Sequence, residues 1–188
     1  MIRSVAMIFI FLPPLYQEKY SYQSFEIENH EIVWGYSYQN GGSLDELSSR
    51  VFNHLKAHAW LSNVRYDGVT IVAEIENYRV DYKRYGAKFM NTSNIVRTGR
   101  WFGKVRVMFN DGKYRVIVYG LHYIARQPER TAGKVSLEAH DISGTLSGFA
   151  LDNLRTSFKK SRFKNLDVIH LALKDLFTLS NKSFPGQE

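Results

Sequence analysis

The sequence predicts an α+β fold: a single curved antiparallel sheet with its helices packed on one face. Three observations predict it. Residues 104–120, KVRVMFNDGKYRVIVYG, alternate basic and apolar side chains on both sides of Asp111-Gly112, the pattern of a half-buried hairpin. One early and one late segment each carry apolar residues at helical spacing along a single stripe. The order is strand, helix, several antiparallel strands, terminal helix. Each helix has a stripe to bury and a sheet has one face to offer, so both helices belong on the same side and the opposite face stays open.

The chain begins MIRSVAMIFIFLPPLYQEKY, with one early basic residue, Arg3, an apolar run over residues 5–15 and a polar exit at Gln17. That is the order of a secretory signal. The run is shorter than the roughly 20 apolar residues a membrane-spanning helix needs. Residues 1–20 are therefore read as a signal segment, with the mature chain starting near residues 17–22. Leu15 and Tyr16 are bulky where a cleavage site has small residues, and a buried N-terminal strand is the alternative.

EIENHEIVWGYSY, residues 26–38, reads as one strand with Ile32, Trp34, Tyr36 and Tyr38 on one face. NGGS breaks it. Ser43 followed by Glu46 is a capping box, so a helix should start at Leu44, with Leu44, Leu47, Val51, Leu55 and Ala59 as its stripe. Residues 64–66 and 69–75 flank Asp67-Gly68, a tight hairpin signal. NYRVDYKRYGAKF, residues 77–89, can continue as strand before the looser NTSNIVRTG.

In the hairpin of residues 104–120, Phe109 falls opposite Tyr114, Val107 opposite Val116 and Val105 opposite Val118. Lys104, Arg106, Met108, Arg115, Ile117 and Tyr119 share the other face. A one-residue slip would bury the arginines, so the register is strongly specified. Residues 125–165 read as a long connection, rich in Gly, Ser, Thr and charge, with only Val135 and Leu137 hinting at a short strand. The C-terminal helix is expected over residues 166–181, with Asn165 as N-cap and Leu166, Ile169, Leu173 and Leu176 as its stripe, widened by Phe177 and Leu179. Residues 26–182 make a single domain.

Composition agrees with one folded domain: 188 residues at 44% hydrophobic and 23% charged can build a core, which a disordered chain cannot. The absence of cysteine excludes disulfides, thiolate metal sites, thiol nucleophiles and a lipoprotein anchor. A net charge of +7 points to anionic partners: nucleic acid, a lipid surface or an acidic polymer. Ten of the 25 basic residues fall in residues 79–115, which hold only Asp81 and Asp111 as acids. A charge run of this kind more often wets a surface than binds.

The chain resembles the exported family of Bacteroidota known as domain of unknown function 4468, whose fold is like that of the TATA-binding protein. The resemblance spans residues 32–124. It rests on HEIVWGYSYQNGGSLDELSSRVFNHLKAHAW, on GVTIVAEIENY and on VRVMFNDGKYRVIVYGLHY. It implies a TBP-like sheet with helices on one side and a periplasmic or cell-envelope location. It brings no established activity and no functional residues.

No catalytic residue, metal site or cofactor is expected. RWFGKVRV partly matches an RNA-recognition strand through Arg100, Phe102, Gly103 and Val105, but Trp101, Lys104 and Val107 depart from it and the element order is wrong. DNA binding by a TBP-like fold uses a duplicated saddle, and one exported copy would meet no genome. His54 and His58 have ligand spacing without a glutamate or third ligand, and a structural role outweighs a metal. GTLSG places Ser147 one position late for a nucleophile elbow. Glu26, Glu28 and Glu31 could form a carboxylate pair, yet solvent exposure is their default.

RTSFKKSRFK would, at helical spacing, gather Arg155, Lys159 and Arg162 beside Phe158 and Phe163 for a membrane surface, unless those rings join the core. The expected function is a non-enzymatic binding or structural role in the envelope. Its face is built from Lys104, Arg106, Arg115 and Tyr119, with an envelope protein or anionic polymer as partner. An intracellular nucleic-acid-binding module is the alternative.

Overall fold

Asn29 and His30 carry backbone φ of 49° and 65°, a left-handed pair that closes a two-residue hairpin. They split the stretch read as one strand into β2 (Phe25–Glu28) and β3 (Glu31–Gln39). Neither residue is glycine, so the sequence hides the break. The computed structural model describes residues 20–179 except 111, 132 and 133. The signal-like residues 1–19 lie outside the described residues. β1 is Ser21–Tyr22; after β3 come α1 (Leu44–Ala57), β4 (Leu61–Asp67), β5 (Thr70–Arg79), α2 (Asn94–Thr98), β6 (Arg100–Asn110), β7 (Lys113–Thr131), β8 (Lys134–Thr145), α3 (Leu146–Ala150) and α4 (Phe163–Phe177).

Ser43 caps α1, its Oγ accepting the Glu46 amide at 3.3 Å. The buried stripe is Leu47, Val51 and Leu55. Leu44 in the first turn is exposed, and Ala59 lies past the helix end. Asp67 pairs with Thr70, so the β4–β5 loop is Gly68-Val69 and not Asp67-Gly68. β5 stops at Arg79. Turns closed by Arg84 N–H to the Asp81 carbonyl and Gly86 N–H to the Lys83 carbonyl replace the expected strand continuation.

The β6–β7 register is the one the alternation predicts, with Phe109 opposite Tyr114, Val107 opposite Val116 and Val105 opposite Val118. β7 then continues and β8 returns along it, with Arg126 opposite Asp141 and Pro128 opposite Ala139. The stretch over 125–165 read as a connection thus begins as strand pairing that lasts to Thr145, followed by α3 and turns. Among the described residues β8 pairs only with β7, and an edge strand tolerates the Gly, Ser and charge that masked it.

All strand pairs are antiparallel, in the order β1-β2-β3-β7-β6-β5-β4. β7 is the spine. β6 runs along one edge, while β3 pairs with its first part and β8 with its second part along the other. Where β3 leaves β7, the Ile32 amide is left facing α3, and Ser147 Oγ accepts it at 2.8 Å. Ser147 in turn donates to Glu31 at 2.5 Å. The buried serine closes a gap in the ladder.

One face of the sheet buries Trp34, Tyr38, Ile71, Trp101, Val107 and Val116. α4 lies on it, burying Leu166, Ile169, Leu173, Leu176 and Phe177. Such side chains contribute roughly 1.5–3 kcal/mol each on burial, more than the ~1 kcal/mol net of a hydrogen bond. Burial therefore holds the helix down, and hydrogen bonds fix its position. The last carbonyls of a helix have no partner within it. Here Lys174 accepts from Tyr38 Oη at 2.9 Å, Leu176 bonds His54 Nε2 of α1 at 3.1 Å, and Phe177 accepts from Tyr114 Oη at 2.7 Å. Tyr78 Oη adds a bond to the Ala172 carbonyl at 3.1 Å. Burial pushes the Tyr114 phenol up to about 12. α4 starts at Phe163, not at Leu166 behind an Asn165 cap. Asn165 Oδ1 instead accepts the Ser93 amide at 2.8 Å, which ties α4 to the start of α2.

His170 Nδ1 accepts from Trp34 Nε1 at 3.2 Å, a role open only to the unprotonated nitrogen. Burial first and Lys174 second hold its pKa below the ordinary 6.5, against the pull of Asp167. Burial and His54 do the same to His58, against Asp175. The unfolded chain takes up these protons near the ordinary value while the folded chain resists them. Stability from both histidines is present above about pH 6.5 and is lost as pH falls below it. Urea midpoints are expected to drop between about pH 7.5 and pH 5.5, and less so in His58→Gln/His170→Gln. Equal drops would refute the assignment.

Candidate binding face

The face of the sheet away from α1 and α4 is covered by no described helix. Strict alternation puts Lys104, Arg106 and Met108 of β6 there, beside Arg115, Ile117 and Tyr119 of β7, because the valines between them face the helices. Lys104 is directly opposite Tyr119, Arg106 opposite Ile117 and Met108 opposite Arg115. The structure thus brings together the four residues predicted for the hairpin face. On its other side Arg106 meets Val72 of β5, and Val72 meets Arg65 of β4.

Gly35 of β3 lies beneath Arg115, where an added Cβ would come within 3.2 Å of Nη2. The missing side chain lets the guanidinium lie flat across the strand. Among the described residues, Lys104, Arg106 and Arg115 make no ion pair. Lys104 has Glu74 as its cross-strand neighbour, but Asn63 Nδ2 already donates to that carboxylate at 2.8 Å. Glu76 likewise accepts from Ser62 at 2.6 Å. Farther along, the Phe102 and His122 rings stack at 5.2 Å, 14° from parallel, beside a groove of about 330 Å³.

The residues predicted for a membrane surface do not assemble. Residues 152–157 form turns, with Arg155 at φ 55°, so no helix gathers Arg155, Lys159 and Arg162. Arg155 pairs with Glu31, the carboxylate that lies opposite Glu28 across the β2–β3 ladder. Arg162 lies over the Phe149 ring, 4.5 Å from its centroid. Phe158 is buried and Phe163 stacks on Tyr22 at 3.9 Å, so both rings belong to the packing. Lys159 contributes its amide, bonded to the Ala150 carbonyl at 2.8 Å.

Sequence reasoning missed a second basic constellation. Arg79, Arg97, Arg100, Arg126, Ile124 and Asp141 line a cavity of about 510 Å³ at the far end of the outer face. β5 ends on Arg79 directly opposite Arg100 at the start of β6; Arg100 faces Ile124 across the next ladder, and Arg126 faces Asp141. These arginines come from four different elements and meet only through the register. The density of basic residues over 79–115 was the one signal available.

Comparison with solved structures finds two likenesses of fold. A TBP-like protein from Parabacteroides distasonis ATCC 8503 matches at 14% identity and a TM-score of 0.43, over 82% of this chain and 93% of that one. A DUF4468 family protein from Bacteroides ovatus ATCC 8483 matches at 12% identity and a TM-score of 0.44, over 87% of this chain and 96% of that one. No family profile and no curated protein matches the chain. In fold the chain is similar to a TBP-like protein and a DUF4468 family protein of Bacteroidota.

Proposed function

We propose that this is an exported, non-enzymatic binding domain of the periplasm or cell envelope that holds an anionic envelope polymer on the outer face of its sheet. One observation carries the reading: Lys104, Arg106 and Arg115 stand free of ion pairs among the described residues, interleaved with Ile117, Met108 and Tyr119, on a face that no described element covers. Cations among apolar and aromatic groups suit a charged polymer with a hydrocarbon backbone, since the long arginine stems cover apolar surface while their heads meet charge.

Retention on immobilised polyglutamate is expected to fall to lower salt when Lys104, Arg106 and Arg115 are all changed to glutamate, with the folding transition unchanged. Undiminished retention would end this reading. Cell fractionation with mass spectrometry of the mature N-terminus tests export. A cytoplasmic location would favour the second reading, a nucleic-acid module, for which the Phe102–His122 stack beside Lys104 is the supporting feature.

A further inference from the structure

We propose that the arginine-lined cavity binds a small ligand bearing two or more negative charges on phosphate or carboxylate oxygens. Four arginines and a single aspartate line the cavity. Like charges directly opposite each other across a ladder are destabilising, yet Arg79 and Arg100 occupy that relation. The acid present answers only part of the charge. Asp141 reaches Arg100 at 3.6 Å, a long contact between exposed groups, and such pairs contribute little. Among the described residues Arg79 and Arg126 have no ion pair.

Arg97 adds an independent sign. Its Nε is buried with no hydrogen-bond partner among the described residues, while its guanidinium lies over the Phe89 ring, 3.8 Å from the centroid. The ring holds the guanidinium in place from one face, which leaves its in-plane Nη donors to an oxyanion in the cavity that Arg97 lines. The walls are also fixed in advance. Asn94 Nδ2 and Thr98 Oγ1, from either end of α2, both donate to the Arg126 carbonyl. The helix carrying Arg97 is therefore pinned to the strand carrying Arg126.

Arginine forks match phosphate and carboxylate oxygens in pairs, which a diffuse wet surface does not need. The volume, about 510 Å³, lies within the range of small-molecule sites. Ile124 supplies an apolar wall between the cations. Charge complementarity against four arginines and one aspartate favours a multivalent ion over a monovalent one.

The test is calorimetric titration of the full chain at low salt with pyrophosphate and, separately, with citrate. Saturable one-to-one binding of either is expected: pyrophosphate alone assigns phosphate, citrate alone assigns carboxylate, and both assign charge density. Arg100→Gln/Arg126→Gln should weaken binding about tenfold or more, the loss of one charge-assisted contact or better. Arg79→Gln, at an exposed strand end, gives a second variant should the first fail to fold. Lys56→Gln, at an exposed cation on α1 outside both basic faces, should leave binding unchanged. No saturable binding, or equal losses in both sets, would overturn the proposal, and the polyglutamate result with the glutamate variants is read separately.

Discussion

Replacing Trp34 with alanine is expected to cost about 3–5 kcal/mol, the range for deleting a large buried aromatic side chain. Trp34 is fully buried on the helix side of β3. Its ring centroid lies 6.1 Å from Phe177 and 6.2 Å from His170, so it fills the space between the sheet and α4. Alanine opens a cavity that a helix tied down by tyrosine hydrogen bonds cannot collapse into. It also deprives His170 Nδ1 of its donor. Natural domains have only 5–15 kcal/mol to lose. The urea midpoint by circular dichroism should fall steeply with an unchanged slope, and a loss below about 1 kcal/mol would show that Trp34 is not a keystone of this core.

Gly99→Ala is expected to cost about 3 kcal/mol through overpacking. The backbone at Gly99 has φ −67°, which any residue adopts. Space is what alanine lacks: its Cβ would lie 2.0 Å from the Ile95 carbonyl oxygen and 3.2 Å from Trp101 Nε1. A carbonyl of α2 cannot swing aside as a flexible side-chain tip can, so the junction between α2 and β6 must open. Gly41→Ala is the control. There φ is 64° but nothing lies within 4 Å, and the cost is that of a left-handed alanine alone, about 1 kcal/mol. Equal losses at the two glycines would dismiss the steric account. Because α2 carries Arg97 and β6 begins with Arg100, Gly99→Ala should also weaken oxyanion binding.

How much was legible depends on whether a feature is local. The register of the β6–β7 hairpin was readable because Val105, Val107, Val116 and Val118 recur at every second position and a slip would bury Arg106 and Arg115. The start of α1 was readable because Ser43 and Glu46 are three residues apart. The break at Asn29-His30 was not, since the left-handed turn uses side chains that also fit a strand. β8 was only hinted at, by Val135 and Leu137, because an edge strand with one partner asks little of its composition. The arginine cavity needs three strand pairings and a helix pinned in place before its members become neighbours, and no spacing in the sequence encodes that. Arg155, Lys159 and Arg162 do not share a helix face because the chain turns where helical spacing was assumed.

The bonds from Tyr38, Tyr78 and Tyr114 to α4 have a further consequence for synthesis. α4 follows every described strand, so the part of the apolar face that α1 does not cover stays wet until residue 177 has left the ribosome. Only then can three strands be locked to one rod. The nascent protein thus exposes the apolar area beneath α4 until that last helix has been made.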